Sequence, residues 1–437
     1  MKRKVVIMGA AGRDFHNFNC LFRGNPDVRV VAFTATQIPD IAGRNYPVEL
    51  AGPDYPDGIP IFPETELRSV IERFGAEDIY FSYSDVHYSY VMERAAKCNS
   101  WGANFILADV QRTMLKSTKP VVAVTAVRTG VGKSQTTRHV SRILQNLGKR
   151  VVAVRHPMPY GDLREQICQR FATYDDLDRH KCTIEEREEY EPHIDDGNVV
   201  YAGVDYEQIL REAEKEADVI LWDGGNNDTP FYKPDLHINL VDPHRPGHET
   251  SYYPGQTNFL MCHVQIVNKV RSADPHNIDK VVDACKLHNP SALLIKCDSK
   301  ITVDKPELIR GKRALVIEDG PTLTHGGMTY GAGWIAAKDC AAASIVDPRP
   351  FAVGSIIETY RKYPNAASIL PAMGYSTLQI HELETTINDT PCDVLVEGTP
   401  IKLSRVLKIN KPIAEVTYEL EELEPGLLEK ALKRIFV

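Results

Sequence analysis

The sequence has no closely spaced cysteine pair and no long apolar run. Its nine cysteines are scattered along 437 residues and form no CxxC pair, which argues against a disulfide framework or a zinc ribbon. Reduced thiols are the expectation that follows. The apolar run behind the basic N-terminus, residues 5–8, is too short for a signal peptide, and no stretch approaches the ~20 apolar residues of a membrane span. The sequence therefore predicts a cytoplasmic protein.

Positive charge is not in excess either. The formal net charge is −8 at pH 7, which disfavours wholesale binding to nucleic acids or membrane surfaces. Local basic pockets for small anions are compatible with this balance. Hydrophobic residues make up 43% and charged residues 25% of the chain, so a globular protein with buried cores is expected. We therefore expect neither nucleic acid nor membrane as a partner.

Short apolar runs alternate with helical patterns along the chain, which predicts an α/β fold with a mostly parallel sheet. The first segment, residues 1–118, is predicted to be a Rossmann-like domain because a Gly-Ala-Ala-Gly turn at residues 9–12 directly follows the first strand. A second segment covers residues 119–305. The third, residues 306–437, is an α/β region that either stands alone or packs on the second. The predicted strands cover residues 5–8, 28–33, 79–83, 104–107, 121–124, 151–154, 219–222, 238–241, 264–267, 293–295 and 314–317.

The second segment begins with a buried strand, a glycine-rich turn and a helix. The turn, residues 128–134, reads Arg-Thr-Gly-Val-Gly-Lys-Ser, and the helix after it places Val140 and Leu144 on one face. Backbone N–H groups and the positive end of the helix bind phosphate at such a turn. Gly130 and Gly132 permit the close approach of backbone to phosphate. The second segment is therefore predicted to be a P-loop NTPase domain.

Lys133, Ser134 and Asp223 are the predicted catalytic and metal-binding residues. In loops of this type the lysine reaches the β- and γ-phosphates, and the serine hydroxyl ligates Mg²⁺. Asp223 ends an apolar strand, where parallel sheets place ligands, and is expected to bind Mg²⁺ and to take part in catalysis. The predicted nucleotide-binding residues are Thr129, Gly130, Val131, Gly132, Lys133, Ser134, Gln135, Asn268 and Lys269.

The base of the nucleotide is less clearly specified. Asn268-Lys269 follows a strand and matches the start of the guanine motif NKxD, but Arg271 occupies the aspartate position and Asp274 lies three residues further on. Guanine recognition needs that carboxylate, whereas the Asn268 amide can both donate to and accept from adenine. ATP is therefore slightly favoured over GTP, and both stay open.

Arg13 and a distal loop are candidates for substrate binding. The acidic residue that NAD requires after the second strand is missing, so Arg13, at the Rossmann-like turn, is expected to hold a substrate phosphate or carboxylate instead. Residues 318–327 combine two acids, two hydroxyls, a histidine and three glycines. Such a composition suits a substrate or metal loop at the carboxyl end of a strand.

A histidine cluster and a charged stretch leave alternatives open. Residues 246–247, Pro-Gly, interrupt the helical HxxxH spacing within the cluster, so a transition-metal site is less favoured than a role for Asp242, His244 and Arg245 near the phosphates. The charged stretch at residues 185–191 is predicted to be a solvated or mobile insertion. The clustered histidines are His237, His244, His248 and His263.

The phosphate loop departs from the pattern GxxxxGK[ST] because Val127 occupies the first glycine position. It resembles the subclass of P-loop proteins that includes dethiobiotin synthetase, nitrogenase iron protein, septum-site ATPases and metal-insertion GTPases. Many of these loops read K-G-G-x-G-K-[ST], and their extra lysine reaches the nucleotide of a neighbouring subunit. Arg128 stands at that place. The resemblance implies a homodimer and a catalytic arginine that stabilises transition-state charge in cis or in trans.

The whole chain resembles the group of predicted P-loop GTPases related to cyclic 2,3-diphosphoglycerate synthetase. Residues 222–228, Trp-Asp-Gly-Gly-Asn-Asn-Asp, and residues 318–326 carry this resemblance. It implies a Mg²⁺-dependent ATP reaction that joins two phosphates of one small anionic metabolite, with Lys133 and Arg128 on the transferring γ-phosphoryl group. The residues that would bind and orient this metabolite are Arg13, Arg155, Glu318, Asp319, Thr324 and His325.

Two functions follow from these patterns. The first is an NTP-hydrolysing synthetase or ligase that activates a small phosphorylated or carboxylated metabolite. The large N-terminal segment and the loop at residues 318–327 favour it, since a pure switch needs neither. The second is a regulatory or metallochaperone GTPase that acts on a protein client, which the histidine cluster and Asn268-Lys269 favour.

Overall fold

The computed structural model describes residues 2–36, 41, 43–156, 161–225, 227–320, 323, 329–366, 368–372 and 377–436. In this part of the chain the strands form a six-stranded sheet, a thirteen-stranded sheet and a two-stranded ribbon. A Rossmann-like domain is followed by a P-loop NTPase domain with a mostly parallel sheet and by a C-terminal α/β extension. The predicted fold class is therefore confirmed.

The N-terminal sheet is parallel except for one short edge pair. Its strands are β1 (Arg3–Met8), β2 (Val28–Ala35), β3 (Asn45–Tyr46), β4 (Ile59–Pro63), β5 (Asp78–Phe81) and β7 (Asn104–Leu107), and their spatial order is β3-β4-β2-β1-β5-β7. The strand predicted at residues 79–83 thus ends at Phe81. The accompanying helices are α1 (Gly12–Asn17), α2 (Val48–Ala51), α3 (Leu67–Phe74) and α4 (Tyr88–Ser100).

The P-loop domain contributes the first part of the large sheet. Its strands are β8 (Val121–Ala126), β9 (Val151–Arg155), β10 (Gln169–Phe171), β11 (Val199–Ala202), β12 (Val219–Gly224), β13 (Leu236–Val241), β15 (Val264–Val267) and β16 (Leu293–Val303), in the order β10-β11-β9-β12-β8-β13-β15-β16. These pairs are parallel except at the β10 edge. The ribbon of β6 (Val86–His87) and β14 (Tyr252–Tyr253) ties this domain to the first.

The third segment continues the same sheet. Its strands are β17 (Arg313–Asp319), β18 (Ser344–Ile345), β19 (Leu370–Ala372), β20 (Val394–Gly398) and β21 (Ile413–Glu422). The far half of β16 pairs antiparallel with β21, so β16 belongs to both parts of the sheet. This half lies beyond the predicted strand at residues 293–295, because its alternation of polar and apolar residues has no apolar run to mark it.

Helices cover both faces of the large sheet. They are α5 (Lys133–Asn146), α6 (Tyr174–Arg179), α7 (Ile184–Asp195), α8 (Tyr206–Glu216), α9 (Gly255–Met261), α10 (Pro275–His288), α11 (Pro306–Ile309), α12 (Ala332–Asp339), α13 (Ser355–Lys362), α14 (Thr377–Asp389) and α15 (Leu427–Lys433). On one face of β8, Val122 and Val124 pack in a core with Val140 and Leu144 of α5. On the other face of β8, Val121 and Ala123 pack in a core with Trp222. Burial on both faces explains why β8 is continuously apolar.

The charged stretch at residues 185–191 is part of a buried helix, so its prediction as a solvated or mobile insertion is wrong. Helix α7 begins with a capping box in which the Thr183 side chain accepts from the Glu186 backbone N–H at 3.2 Å and the Glu186 side chain accepts from Thr183 at 2.8 Å. Glu185 and Glu188 are buried although they are acidic. Tertiary packing, which the sequence pattern does not contain, places them inside.

None of the helices within the described ranges is both long and apolar enough to cross a membrane.

Candidate nucleotide and substrate site

The phosphate loop lies between the end of β8 and the start of α5, as the sequence predicts. Gly130 and Gly132 have positive φ angles of 81° and 112°. A Cβ atom at position 132 would lie 2.3 Å from Nδ2 of Asn268, so a larger residue does not fit there. Gly132 has a left-handed backbone conformation and no side chain. The loop can therefore expose its backbone N–H groups to a bound phosphate.

Lys133 and Asp223 form a buried ion pair at the head of α5. The lysine Nζ lies 2.7 Å from Asp223 Oδ1 and donates to the Asp223 carbonyl at the same distance. Thr137, one turn along α5, donates to Oδ1 at 2.8 Å. Burial and the charge of Arg155 lower the pKa of Lys133 to about 8, against the opposing effect of Asp223. The end of β12 and the phosphate loop are thus joined by an ion pair, in addition to the pairing of β12 with β8.

Asp223 also binds two groups on its other oxygen. Oδ2 lies 2.5 Å from a guanidinium nitrogen of Arg155, the last residue of β9, and 3.1 Å from Nε2 of His193. Burial by itself would raise the pKa of Asp223, but Arg155 and Lys133 outweigh it and hold that pKa well below its ordinary value. The carboxylate is therefore ionised and shared between two cations that are well placed for phosphoryl oxygens.

Ser134 and Asp223 supply the oxygen ligands that Mg²⁺ prefers. Ser134 is the second residue of α5 and directly follows Lys133, which contacts Asp223. Mg²⁺ in nucleotide sites takes one or two protein oxygens together with phosphate oxygens and water. A hydroxyl and a carboxylate at the head of this helix fit that donor set.

Arg128 and Thr129 are held by a residue that the sequence does not single out. Asp85, which lies between β5 and β6 in the N-terminal domain, places Oδ1 2.7 Å from Arg128 Nε and accepts from the Thr129 hydroxyl at 2.6 Å with Oδ2. The Arg128 guanidinium carbon also lies 3.9 Å from the ring centre of Tyr252. Arg128 is thus buried and engaged within its own chain.

Lys269 and Asn268 donate hydrogen bonds to backbone carbonyls of the phosphate loop. Lys269 donates to the Gly130 carbonyl at 2.6 Å and lies 3.3 Å from Asp242. The Asn268 amide donates to the Val131 carbonyl at 2.8 Å. In this structure, both residues position the loop backbone.

Gln135 joins the same region through Ser299, which lies in the far half of β16. Its amide donates to the Ser299 hydroxyl, and the Asn268 amide donates to the same hydroxyl at 3.3 Å. Arg271, at the position where guanine-binding proteins have aspartate, pairs instead with Glu421.

Arg13 connects the Rossmann-like turn to the segment after Asp223. It is buried, donates to Thr229, lies 3.7 Å from Asp228 and stacks 4.2 Å from the ring centre of Phe231. Thr113 accepts a further bond at 3.3 Å. These contacts place Arg13 at the interface of the two domains, and its role in substrate binding stays a prediction.

Arg155 brings α7 into the site. One of its nitrogens pairs with Glu189, while its Nε is buried without a hydrogen-bond partner among the described residues. The same holds for Nδ1 of His193 and for Oε1 of Glu188. Buried polar atoms are nearly always paired, so this combination marks a place where a ligand is expected. No local pattern marks this place in the sequence, because the acids of α7 resemble a solvated surface.

Glu318 ends β17 with its carboxyl group buried. It accepts from the backbone N–H groups of Gly331 at 3.1 Å and Trp334 at 2.8 Å, which shape the start of α12. Burial raises the pKa of Glu318 to about 8. Glu318 therefore orders the backbone here, whereas the next residue, Asp319, is partly exposed, and its charge acts on Glu188.

Thr324 and His325, the remaining predicted substrate residues, lie outside the described residues. The histidine cluster is divided between separate contacts. His237 binds Thr125 at 2.8 Å, and its backbone donates to His263 at 3.0 Å, whereas His244 binds Ser272 at 2.9 Å. Within the described ranges, no group of three or more His, Cys, Asp or Glu side chains has the arrangement of a metal site.

A strand, a glycine-rich turn and a helix with a buried Lys133–Asp223 pair define a P-loop NTPase. The chain belongs to the family of arginine synthetase ArcE from Thermococcus kodakarensis. The two are 62% identical over 432 residues, which cover 99% of this chain and 96% of the relative. No family model matches the chain. The relative carries the name of an arginine synthetase and not of a cyclic 2,3-diphosphoglycerate synthetase.

Solved structures resemble the chain only distantly. LpxK from Aquifex aeolicus, in complex with ATP, is 12% identical, covers 85% of this chain and 100% of its own, and has a TM-score of 0.43. The hydrogenase maturation factor HypB from Archaeoglobus fulgidus is 16% identical, with coverages of 41% and 81% and a TM-score of 0.28. Cobyrinic acid a,c-diamide synthase from Mycobacterium smegmatis, with bound ATP analog and magnesium, is 18% identical, with coverages of 41% and 72% and a TM-score of 0.20.

Proposed function

We propose that the chain is a Mg²⁺-dependent synthetase that uses ATP to form arginine from a carboxylated small metabolite, a ureido amino acid. The observation that carries the proposal is the buried network of Lys133, Asp223 and Arg155 beside the phosphate loop, in a chain 62% identical to an arginine synthetase. This narrows the broader expectation of an NTP-dependent synthetase. It replaces the cyclic anhydride product that the earlier resemblance implied.

The chemistry of the product specifies what the phosphoryl group must do. A guanidinium carbon carries three nitrogens, and a ureido carbon carries two nitrogens and one oxygen. We propose that the ureido oxygen attacks the γ-phosphorus, that the bond from γ-phosphorus to the β,γ-bridging oxygen breaks, and that ADP leaves. Ammonia then adds to the carbon, loses a proton and displaces inorganic phosphate. One ATP thus yields one arginine, one ADP and one phosphate.

The residues of the site divide this work. Lys133 and Arg155 would exchange their contacts with Asp223 for oxygens of the γ-phosphoryl group and stabilise the charge that develops on it. Ser134 and Asp223 would hold Mg²⁺, which when bound neutralises phosphate charge and fixes the triphosphate. The loop N–H groups and Gly132 would orient the β-phosphate. These roles agree with the positions of the side chains around the head of α5.

We place ATP ahead of GTP because Arg271 replaces the carboxylate that guanine needs and pairs with Glu421. We also place Arg128 in the site of its own subunit, since Asp85 and Tyr252 hold it there. The homodimer that the loop resemblance implies stays a prediction.

The proposal is tested by incubating the purified chain with ATP, Mg²⁺, ammonium and citrulline, the ureido counterpart of arginine. We expect arginine, ADP and phosphate in equal amounts, and no turnover when citrulline is omitted. Citrulline labelled with oxygen-18 in its ureido group should pass the label to inorganic phosphate. ATP turnover that ignores citrulline, or GTP turnover raised only by a protein partner, would refute the synthetase.

A further inference from the structure

Three acids of α7 share one face of the helix. Glu185, Glu188 and Glu189 are spaced three and four residues apart, a spacing that puts side chains on the same side of a helix. Glu189 pairs with Arg155, which contacts Asp223. Through Glu189, helix α7 therefore reaches the proposed site of phosphoryl transfer.

Glu188 has a buried carboxyl oxygen for which the described residues supply no donor. The residue is 6% exposed, and its Oε1 atom has no hydrogen-bond donor among the residues that the structure describes. Burying a carboxyl group without donors is costly, and folded proteins retain such groups mainly where a ligand completes them. A ligand that carries N–H donors would satisfy Glu188.

The surroundings of Glu188 are acidic rather than basic. Burial, together with the charges of Asp319 and Glu185, raises the pKa of Glu188 well above its ordinary value. Asp319 ends β17, and Ile184 of α7 packs in one hydrophobic core with Ile317 of β17, so two separate parts of the chain bring carboxyl groups to this place. A guanidinium presents N–H donors only, so an organic cation of this kind fits an acidic pair.

Arg155, which pairs with Glu189 of this face, offers the complementary chemistry. Its buried Nε is a donor without an acceptor among the described residues. A ureido group presents one carbonyl oxygen as acceptor and several N–H groups as donors, whereas a guanidinium presents donors only. An arginine beside the oxygen and carboxylates beside the nitrogens would match the ureido substrate and would then attract the positive product.

We infer that Glu188 and Asp319 form a carboxylate pocket that holds the nitrogen end of the substrate, accepting hydrogen bonds from its ureido N–H groups and then from the guanidinium of the product. The inference rests on the proposed function and assigns its specificity to these two carboxylates. Charge-assisted hydrogen bonds between carboxylate and guanidinium are among the strongest in proteins. The pocket would therefore bind the guanidinium group more tightly than the neutral ureido group.

The test is titration calorimetry of the full chain with arginine and, separately, with citrulline, for the wild type and Glu188→Gln. We expect the variant to bind arginine about 10- to 100-fold more weakly, to bind citrulline with a smaller loss, and to keep its KM for ATP. Asp319→Asn should show the same order of effects. The melting temperature of ligand-free Glu188→Gln should rise, because the variant removes a buried acid that the charges of Asp319 and Glu185 oppose.

Glu191→Gln is the matched control. Glu191 is also a buried acid of α7, but Arg187 and Arg405 pair with it. We expect its substitution to lower the melting temperature and to leave the ratio of arginine to citrulline affinity unchanged. A similar ratio change in this control would assign the effect to the helix and overturn the pocket.

The outcomes separate the pocket from the proposed function. If the wild type makes arginine and Glu188→Gln keeps wild-type affinity for arginine, the pocket inference fails alone. If the variant loses ATP and arginine binding equally and melts earlier, Glu188 has a structural role and the inference also fails. If the wild type neither makes nor binds arginine, both the proposed function and the pocket are refuted.

Discussion

Asp85 bridges two consecutive residues of the phosphate loop, with Oδ1 2.7 Å from Arg128 Nε and Oδ2 2.6 Å from the Thr129 hydroxyl. The aspartate belongs to the N-terminal domain and the loop to the P-loop domain. Its backbone has a φ angle of 56°, a left-handed conformation that is uncommon for residues other than glycine, asparagine and aspartate. The N-terminal domain thus contacts the phosphate loop directly, in addition to the substrate-binding role that the sequence predicts for Arg13.

Asp85→Asn should therefore weaken both the fold and the nucleotide site. Removing one charge of a buried pair leaves the other uncompensated, so we expect the free energy of unfolding to fall by about 3 kcal/mol. The KM for ATP should rise by about tenfold, since the loop loses a support at Thr129. Urea unfolding and steady-state kinetics measure the two effects. Asp218→Asn, which breaks the exposed pair with Arg150, is the control and should change the free energy of unfolding little.

Lys133→Ala should remove turnover and leave the fold intact. The lysine is the loop residue closest to Asp223, and Arg155 remains to neutralise that carboxylate after the substitution. We expect kcat/KM to fall by about a thousandfold, which is the usual loss when a charge on a transferring phosphoryl group is removed. Arginine formation and far-UV circular dichroism are the measurements. A variant with the wild-type rate would disprove the assignment of the loop.

The turn between β8 and α5 and the position of Asp223 beside it could be predicted because their signals are local. Lys133 and Ser134 lie in one short motif between a strand and a helix, and Asp223 ends a strongly apolar strand, so each carries its context within a few residues. Asp85 gives no such signal. It approaches the loop only because the ribbon of β6 and β14 joins the two domains, and no pattern along the chain encodes that contact.

The acids of α7 show a second reason why sequence reasoning fails. A stretch rich in glutamate predicts a solvated helix, since buried charge is expensive. In the structure Glu185 and Glu188 are buried all the same. Functional sites are the places where a protein retains such unfavourable burial. The prediction was wrong at the place where we now propose that the substrate is recognised.

The pKa of Lys133 predicts a pH dependence of ATP use. A lysine whose pKa is lowered to about 8 carries its charge below that pH and loses it above. Without the charge it cannot attract the phosphates, so kcat/KM for ATP should fall as the pH rises through about 8. Bound phosphate stabilises the charged form, so kcat at saturating ATP should persist to higher pH. In Lys133→Arg the fall in kcat/KM should move to a pH above the measured range. An unchanged pH profile in this variant would assign the fall to a group other than Lys133.

Gly132→Ala tests whether the shape of the loop, and not only its charge, is required. The φ angle of 112° is unfavourable for alanine, and the new Cβ would lie 2.3 Å from the Asn268 amide that holds Val131. We expect a loss of about 2–4 kcal/mol in stability and ATP binding too weak to measure by calorimetry. Gly148→Ala is the control, because Gly148 has a φ angle of 73° but open space around its Cβ position. It should cost only about 1 kcal/mol and leave ATP binding unchanged, so that equal ATP affinity in the two variants would contradict a closely packed phosphate cradle.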